Sequence, residues 1–185
     1  MIFPLDADVG SVALSPAGPF VTGAELTLTV TFTVGAAGLT EGAQLRIGLP
    51  NTGWEHVVVP QRRYWDELIE PLDQRFAPFH PVNTSVALKT TGRAAVHLET
   101  MERMLLPDED PAEAYWRWWI GAVVSGGSLM AGDQVVLTYG DPQFIGRGAR
   151  IQTFPEQRLT VYAVVDGGSG AWVRPANSPI ELDVV

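Results

Sequence analysis

The chain has 185 residues, no cysteine and a formal net charge of −9 at pH 7. The lack of cysteine excludes thiol nucleophiles, cysteine-based zinc or iron–sulfur sites and disulfides. Twelve Lys and Arg against twenty-one Asp and Glu argue against nucleic acid and anionic membranes as partners. The N-terminus shows neither a signal peptide nor a membrane-spanning apolar run. We expect a cytoplasmic protein without a cofactor, with secretion left open.

Taken in chain order, the sequence is a series of short strands separated by turns. Residues 25–34 (ELTLTVTFTV) alternate apolar side chains with threonines, and residues 43–49 (AQLRIGL) repeat the alternation. A period of two is typical of strands with one buried face. A hairpin is predicted from 84–90 and 93–101, which a short turn at Thr91-Gly92 joins. Further strands are predicted at 115–124, 133–139, 158–165 and 179–185.

Gly and Pro occupy nearly every gap between these strands, which favours an antiparallel, all-β architecture. We predict a two-sheet sandwich, immunoglobulin-like or jelly-roll-like, with residues 1–185 forming one domain. Residues 50–82 are rich in proline and aromatic side chains and are too long for a hairpin loop. We predict that they form a long loop insertion, and long loops often carry function.

The stretch YWRWWIGAVV (115–124) places three tryptophans in four positions. In a strand, Trp116, Trp118 and Ile120 share one face, which we assign to the core. Tyr115, Arg117 and Trp119 share the other face, which we expect to be partly exposed or covered by the 50–82 loop. Aromatic and Arg side chains are enriched at interfaces, so this second face is a candidate binding surface.

The predicted binding residues combine this face with the loop insertion, where Arg side chains at the rim favour a carboxylate or an acidic partner. They are Trp54, His56, Arg62, Arg63, Tyr64, Trp65, His80, Tyr115, Arg117 and Trp119.

Several segments resemble a known family. They are SGGSLMAGDQVVLTYGD (125–141), GRGARIQTFPEQRLTVYAVVDGGSGAW (146–172), NSPIELDVV (177–185) and VGAAGLTEGAQLRIGLP (34–50). Together they resemble the β-rich N-terminal region of a bacterial family of unknown function, whose members carry a metallohydrolase-like region after the β-rich part. Residues 51–114 match this pattern poorly. The resemblance implies that a metal site of the family would lie outside these 185 residues, in a following domain or a separate catalytic chain.

Other polar residues have simpler interpretations. His97 and Glu99 lie two apart on one predicted strand, and we interpret them as an exposed polar face rather than metal ligands. Arg147 and Arg150 are expected to form ion pairs with the acidic surface rather than to bind an anion. The acidic run at 108–113 is expected to be a solvated loop. Gln152-Thr153-Phe154 is expected to hold a loop by side-chain hydrogen bonds.

Three functions follow from this reading. The first is a non-catalytic accessory module that binds a protein partner, plausibly the metallohydrolase-like chain or domain that the resemblance implies. The second is a glycan-binding module that stacks sugars on Trp54, Trp65, Tyr115 and Trp119. The third is a small enzyme or catalytic subunit that uses His56, His80, Arg62 and Glu55.

Overall fold

The structure is a computed structural model that describes residues 3–50, 54–55, 57–58, 84–98, 117–142 and 147–185. At positions 57, 58, 84, 85, 87, 117 and 118 only the backbone is described. The strands are β1 (Gly10–Ser15), β2 (Glu25–Leu26), β3 (Leu28–Val34), β4 (Gln44–Pro50), β5 (Val57–Val58), β6 (Thr84–Thr90), β7 (Ala95–Leu98), β8 (Arg117–Ser125), β9 (Gln134–Tyr139), β10 (Ala149–Arg150), β11 (Glu156–Asp166), β12 (Trp172–Val173) and β13 (Ile180–Val184). One 3₁₀ turn, Ala7–Val9, precedes β1.

The strands form two main sheets, as the sequence predicts. The first sheet has the order β1-β3-β9-β6-β5, and all its pairs are antiparallel except β5 with β6. The second sheet has the order β12-β11-β4-β8-β7, and β13 also pairs with the long strand β11. A small pair, β10 with β2, lies beside them. The protein is an all-β sandwich of open antiparallel sheets.

The core lies between the inner faces of the two sheets. On β3 the residues Leu28, Val30, Phe32 and Val34 are buried while the threonines between them are half-buried, which confirms the predicted alternation. On β4 the predicted inward residues Leu45, Ile47 and Leu49 are likewise buried. Ile120 of β8 also belongs to this core, as predicted. The other face of the second sheet is the outer face described below.

The predicted hairpin of 84–90 with 93–101 is wrong. Strand β6 pairs with β9 in the first sheet, whereas β7 pairs with β8 in the second. The chain crosses between the sheets at Thr91, whose amide donates to the carbonyl of Gln134 and whose hydroxyl accepts from the Gln134 amide. A Cβ at Gly92 would lie 2.4 Å from Cδ2 of Leu129 and 2.6 Å from Oδ2 of Asp133, so glycine lets these two side chains pack against the crossing. The short Gly-containing connection at Thr91-Gly92 therefore joins strands of two different sheets rather than the two strands of a hairpin.

Several short strands were not predicted. β1, β5, β10 and β12 are missing from the sequence-based list, and Thr27 interrupts the predicted strand 25–34 between β2 and β3. Three of the four have only two residues and therefore no periodicity to detect. Across the described ranges, no helix has the length and apolar character that crossing a membrane requires.

Candidate functional site

The outer face of the second sheet carries a cluster of large apolar side chains. Trp119 on β8 and Val164 on β11 are buried there, apart from the main core. Phe3, Tyr162 and Trp172 are partly buried and pack against this pair. We call these five residues the outer cluster. Outer faces of sandwich sheets are ordinarily polar along alternate positions, so an aromatic outer face needs an explanation.

Gly48 allows the outer cluster to assemble. In the sheet register it lies between Tyr162 of β11 and Trp119 of β8. The six-membered ring of Trp119 lies flat on Gly48, so that a Cβ added there would be 3.0 Å from Cζ3 and 3.1 Å from Cε3. A glycine within a strand often marks such a close approach. The Trp119 ring therefore packs directly on the backbone of Gly48, and a residue with a side chain at position 48 would displace the ring.

A cation lies on the same face. The guanidinium carbon of Arg46 is 4.2 Å from the centroid of the Trp172 ring, a cation–π contact. Nη2 of Arg46 also donates to Oε1 of Gln44 at 3.3 Å. Arg46 follows Gln44 by two positions on β4, so both side chains belong to the outer face. The outer cluster thus carries a positive charge beside its aromatic rings.

Trp119 is only 3% exposed, and its indole N–H has no hydrogen-bond partner among the described residues. Buried N–H groups are nearly always paired, because an unpaired one loses its hydration without compensation. The cost is about 1–3 kcal/mol. As far as the described residues show, the N–H is a buried donor without an acceptor.

The segment of residues 3–6 lies along the edge of the second sheet and brings Phe3 onto the outer cluster. The amide of Arg174 donates to the carbonyl of Pro4 at 2.8 Å, and the amide of Asp6 donates to the carbonyl of Arg174 at 2.9 Å. Nε of Arg174 donates to the carbonyl of Phe3 at 3.1 Å. We call residues 3–6 the strap.

Trp119 was expected to be partly exposed or covered by the 50–82 loop. The side chain is buried, and the described residues that pack on it are Phe3, Tyr162 and Trp172 together with Val164. Backbone alone is described for Arg117. His56, Arg62, Arg63, Tyr64, Trp65, His80 and Tyr115 lie outside the described residues, as does the predicted cover formed by the loop.

Trp54 is not an open binding surface either. It is 3% exposed and belongs to the main core, where its ring stacks on Tyr139 with centroids 5.8 Å apart. Its indole N–H donates to Oε1 of Gln152 at 3.2 Å. That Trp54 contacts a ligand stays a prediction, although in this arrangement packing and a buried hydrogen bond already use both its ring and its N–H.

Glu55 follows directly and is held by four donors. Its carboxylate accepts two hydrogen bonds from the guanidinium of Arg147, one of them at 2.9 Å, and a third from the amide of Arg150 at 2.8 Å. Its carbonyl accepts from the Tyr139 hydroxyl at 2.7 Å. Arg147 and Arg150 also lie 3.6 and 3.5 Å from Glu25. The expected ion pairs of these two arginines with acidic residues are thereby confirmed.

The charges around Glu55 fix its ionisation. Burial by itself raises the pKa of this carboxyl, but the hydrogen bond from Arg147, the Arg150 amide and the two positive charges outweigh burial, so the pKa is lowered. The hydrogen bond to Glu55 in turn raises the pKa of Arg147. A carboxylate that is ionised and held in this way serves to fix the chain rather than to transfer protons.

Gln152 forms hydrogen bonds that hold the segment of Trp54 and Glu55. The sequence predicted only part of these contacts. Its Nε2 donates to the Phe154 carbonyl at 3.0 Å, which confirms the expected loop contact, and to Glu156 at 3.1 Å. Its Oε1 accepts from Trp54, a partner 98 positions away in the sequence. The motif that carries part of the family resemblance, with Arg150, Gln152 and Glu156, is thus the surface on which Trp54 and Glu55 are fixed.

No metal site assembles in the described part of the chain. His97 is exposed on β7, as expected for a polar strand face, and Glu99 lies outside the described residues. Among the residues described, no group of three or more His, Asp or Glu side chains is placed to hold an ion.

The sequence did not single out the other members of the outer cluster. Tyr162 and Val164 occupy alternate positions of β11, and that alternation was the available signal. It could not be connected with Trp119, because the register between strands is absent from the sequence. Phe3 and Trp172 come from segments with no strand periodicity at all.

Comparison with known proteins adds little. No protein family model matches the chain, and no curated protein matches it. One solved structure that matches is described as "AvmM Catalyzes Macrocyclization in Alchivemycin A Biosynthesis". It is 11% identical, the match covers 98% of this chain and 91% of that one, and the TM-score is 0.41. A likeness at this level supports no statement about what this chain does.

Proposed function

We propose that the chain is a non-catalytic accessory module that binds a protein partner through the outer face of its second sheet. The single observation that carries the proposal is the outer cluster, an aromatic face with Arg46 stacked on Trp172 and an indole N–H on Trp119 that no described residue pairs. The partner that we propose is a catalytic chain or domain of the metallohydrolase-like class that the resemblance implies.

The chemistry of the face supports a protein partner. Tyr, Trp and Arg are the residues that most often dominate binding energy at protein interfaces, where they supply large contact areas together with hydrogen bonds. Trp119 offers a donor and Arg46 a positive charge. Both favour a partner surface that presents backbone carbonyls or carboxylates.

The charged residues of the described part support a structural use rather than catalysis. Glu55 belongs to the set that we considered for a small enzyme, but its carboxylate and carbonyl both accept hydrogen bonds from within the sandwich. It anchors the chain at the point where residues 56–83 begin. A rigid scaffold that carries binding residues is a common design for binding proteins.

The test is binding to the product of a neighbouring gene that encodes a metallohydrolase-like chain. Arg46→Ala should weaken binding about 10–100-fold, the range of an interface arginine hot spot. Arg93→Ala is the matched control, because Arg93 is exposed in the turn between β6 and β7 and lies away from the outer cluster. Titration calorimetry with both variants measures the difference.

Three outcomes separate the hypotheses. Loss of affinity in Arg46→Ala alone supports the proposal, whereas no complex at micromolar concentration contradicts it. Binding to a polysaccharide on a glycan array, lost on replacing Trp65 or Tyr115, would establish the glycan-binding alternative instead. Stoichiometric metal in the purified protein, lost on replacing His56 or His80, would establish the enzyme alternative.

A further inference from the structure

The strap is held to the sandwich by a small number of contacts. Phe3 packs on the outer cluster, and within the described ranges the hydrogen bonds from the strap to sequence-distant parts of the sandwich all involve Arg174: two join backbones and one comes from Nε. Pro4 is exposed, and Leu5 is 61% exposed and contributes nothing to either hydrophobic cluster. A segment with few buried apolar contacts opens at a lower free energy than core strands such as β3.

Within the described residues, the strap packs Phe3 on the outer cluster but does not pair the Trp119 indole N–H. Phe3 brings only a hydrocarbon ring, so it excludes water from Trp119 but offers no acceptor to the indole N–H. A permanent cover would be expected to pair the buried donor, because unpaired buried polar groups are rare and costly. A partner with a carbonyl or carboxylate would supply the hydrogen-bond acceptor that the strap does not offer to the Trp119 N–H.

We propose that residues 3–6 are an autoinhibitory strap, which occupies the docking surface for the protein partner and is displaced when the partner binds. This inference rests on the proposed function and adds its regulation. In the closed form Phe3 packs on the pair of Trp119 and Val164. In the open form a carbonyl or carboxylate of the partner accepts from the Trp119 N–H, and partner side chains replace the Phe3 ring. The apparent affinity is then reduced by the fraction of closed protein.

The experiment compares Phe3→Ala with Leu5→Ala in the full chain. Both remove a strap side chain, but only Phe3 packs on the outer cluster. The first readout is hydrogen exchange of the Trp119 indole N–H by NMR, with its signal assigned through Trp119→Phe. Phe3→Ala should accelerate this exchange about tenfold or more, since it removes the main packing contact that closes the strap. Leu5→Ala should leave it unchanged.

The second readout is binding of the dye 8-anilinonaphthalene-1-sulfonate, an anion that reports exposed apolar surface. Phe3→Ala should increase dye emission while Leu5→Ala does not. Unchanged indole exchange in Phe3→Ala overturns the strap. Faster exchange with no added dye binding overturns the docking surface, and with it the autoinhibition and the proposed function. If Phe3→Ala shows faster indole exchange and more dye binding but an unchanged affinity for the catalytic chain, autoinhibition alone is overturned.

A measurement on the unmodified protein covers the case in which Phe3→Ala fails to fold. Native-state exchange in low denaturant should show the amides of Asp6 and Arg174 and the Trp119 indole opening together, before the amide of Val30 in β3. Opening of all four in one global transition would show that the strap is part of the cooperative fold and would overturn the inference.

Discussion

Replacing Gly48 with alanine tests the geometry of the outer cluster. The new Cβ would lie 3.0 Å from Cζ3 and 3.1 Å from Cε3 and Cη2 of Trp119. Carbon atoms pack best at about 3.5–4.0 Å, so the ring must move by about half an ångström or more. Such overpacking costs about 1–3 kcal/mol. Alanine recovers about 0.4–1 kcal/mol by restricting the unfolded chain, because Gly48 has no left-handed φ. We expect a net loss of about 1–2 kcal/mol.

Urea unfolding measures this loss as a lower midpoint at an unchanged m-value. Gly167→Ala is the matched control, since a Cβ there would meet nothing within 4 Å and its φ is not left-handed either. It should change stability by no more than about 0.5 kcal/mol. The near-ultraviolet circular dichroism of the tryptophans should change in Gly48→Ala only. A Gly48→Ala protein as stable as the control, with an unaltered spectrum, would refute the placement of Trp119 on Gly48.

The remaining predictions concern the anchor at residues 54 and 55. Glu55→Gln should lower the free energy of unfolding at pH 7 by about 1–3 kcal/mol, because the 18% exposed Glu55 side chain loses a charge-assisted pair with Arg147; Glu181→Gln, on an exposed side chain, should not. Because the pKa of Glu55 is lowered in the fold, its stabilisation is fully present above the ordinary value of 4.5 and is lost as the pH falls through the lower folded value. The stability difference between wild type and Glu55→Gln should therefore shrink in acid, and a constant difference from pH 7 to pH 3 would contradict this. Trp54→Phe should cost about 1–3 kcal/mol, since Gln152 keeps a buried oxygen without its donor; a tolerated substitution in urea unfolding would show that this hydrogen bond contributes little.

The sandwich could be predicted because its longer strands have one buried and one more open face. In β3, threonine alternates with Leu, Val and Phe, so the strand and its inward face follow from the sequence alone. Which strands pair with each other could not be predicted in the same way. The alternation of β6 and β7 is compatible with a hairpin, and only the crossing at Gly92, crowded by Leu129 and Asp133, separates them into two sheets.

The candidate site was predictable only in part, for the same reason. The alternation in β8 correctly separates Ile120 from Trp119 and assigns them to opposite faces. What covers Trp119 is set by the register of β4 and β11 and by the path of residues 3–6, none of which leaves a periodic signal. The burial of Trp54 could not be foreseen, because an aromatic residue in a long predicted loop resembles a binding residue and the acceptor for its N–H lies at the distant Gln152.

The central claim is that the outer face of the second sheet docks a protein partner. It is tested most directly by hydrogen–deuterium exchange of the chain with and without the metallohydrolase-like partner that we propose. We predict that binding protects residues 160–164 of β11, while exchange at residues 3–6 and at the amide of Arg174 becomes faster as the strap leaves. Protection confined to the first sheet, or no change anywhere in the presence of a saturating partner, would contradict the claim.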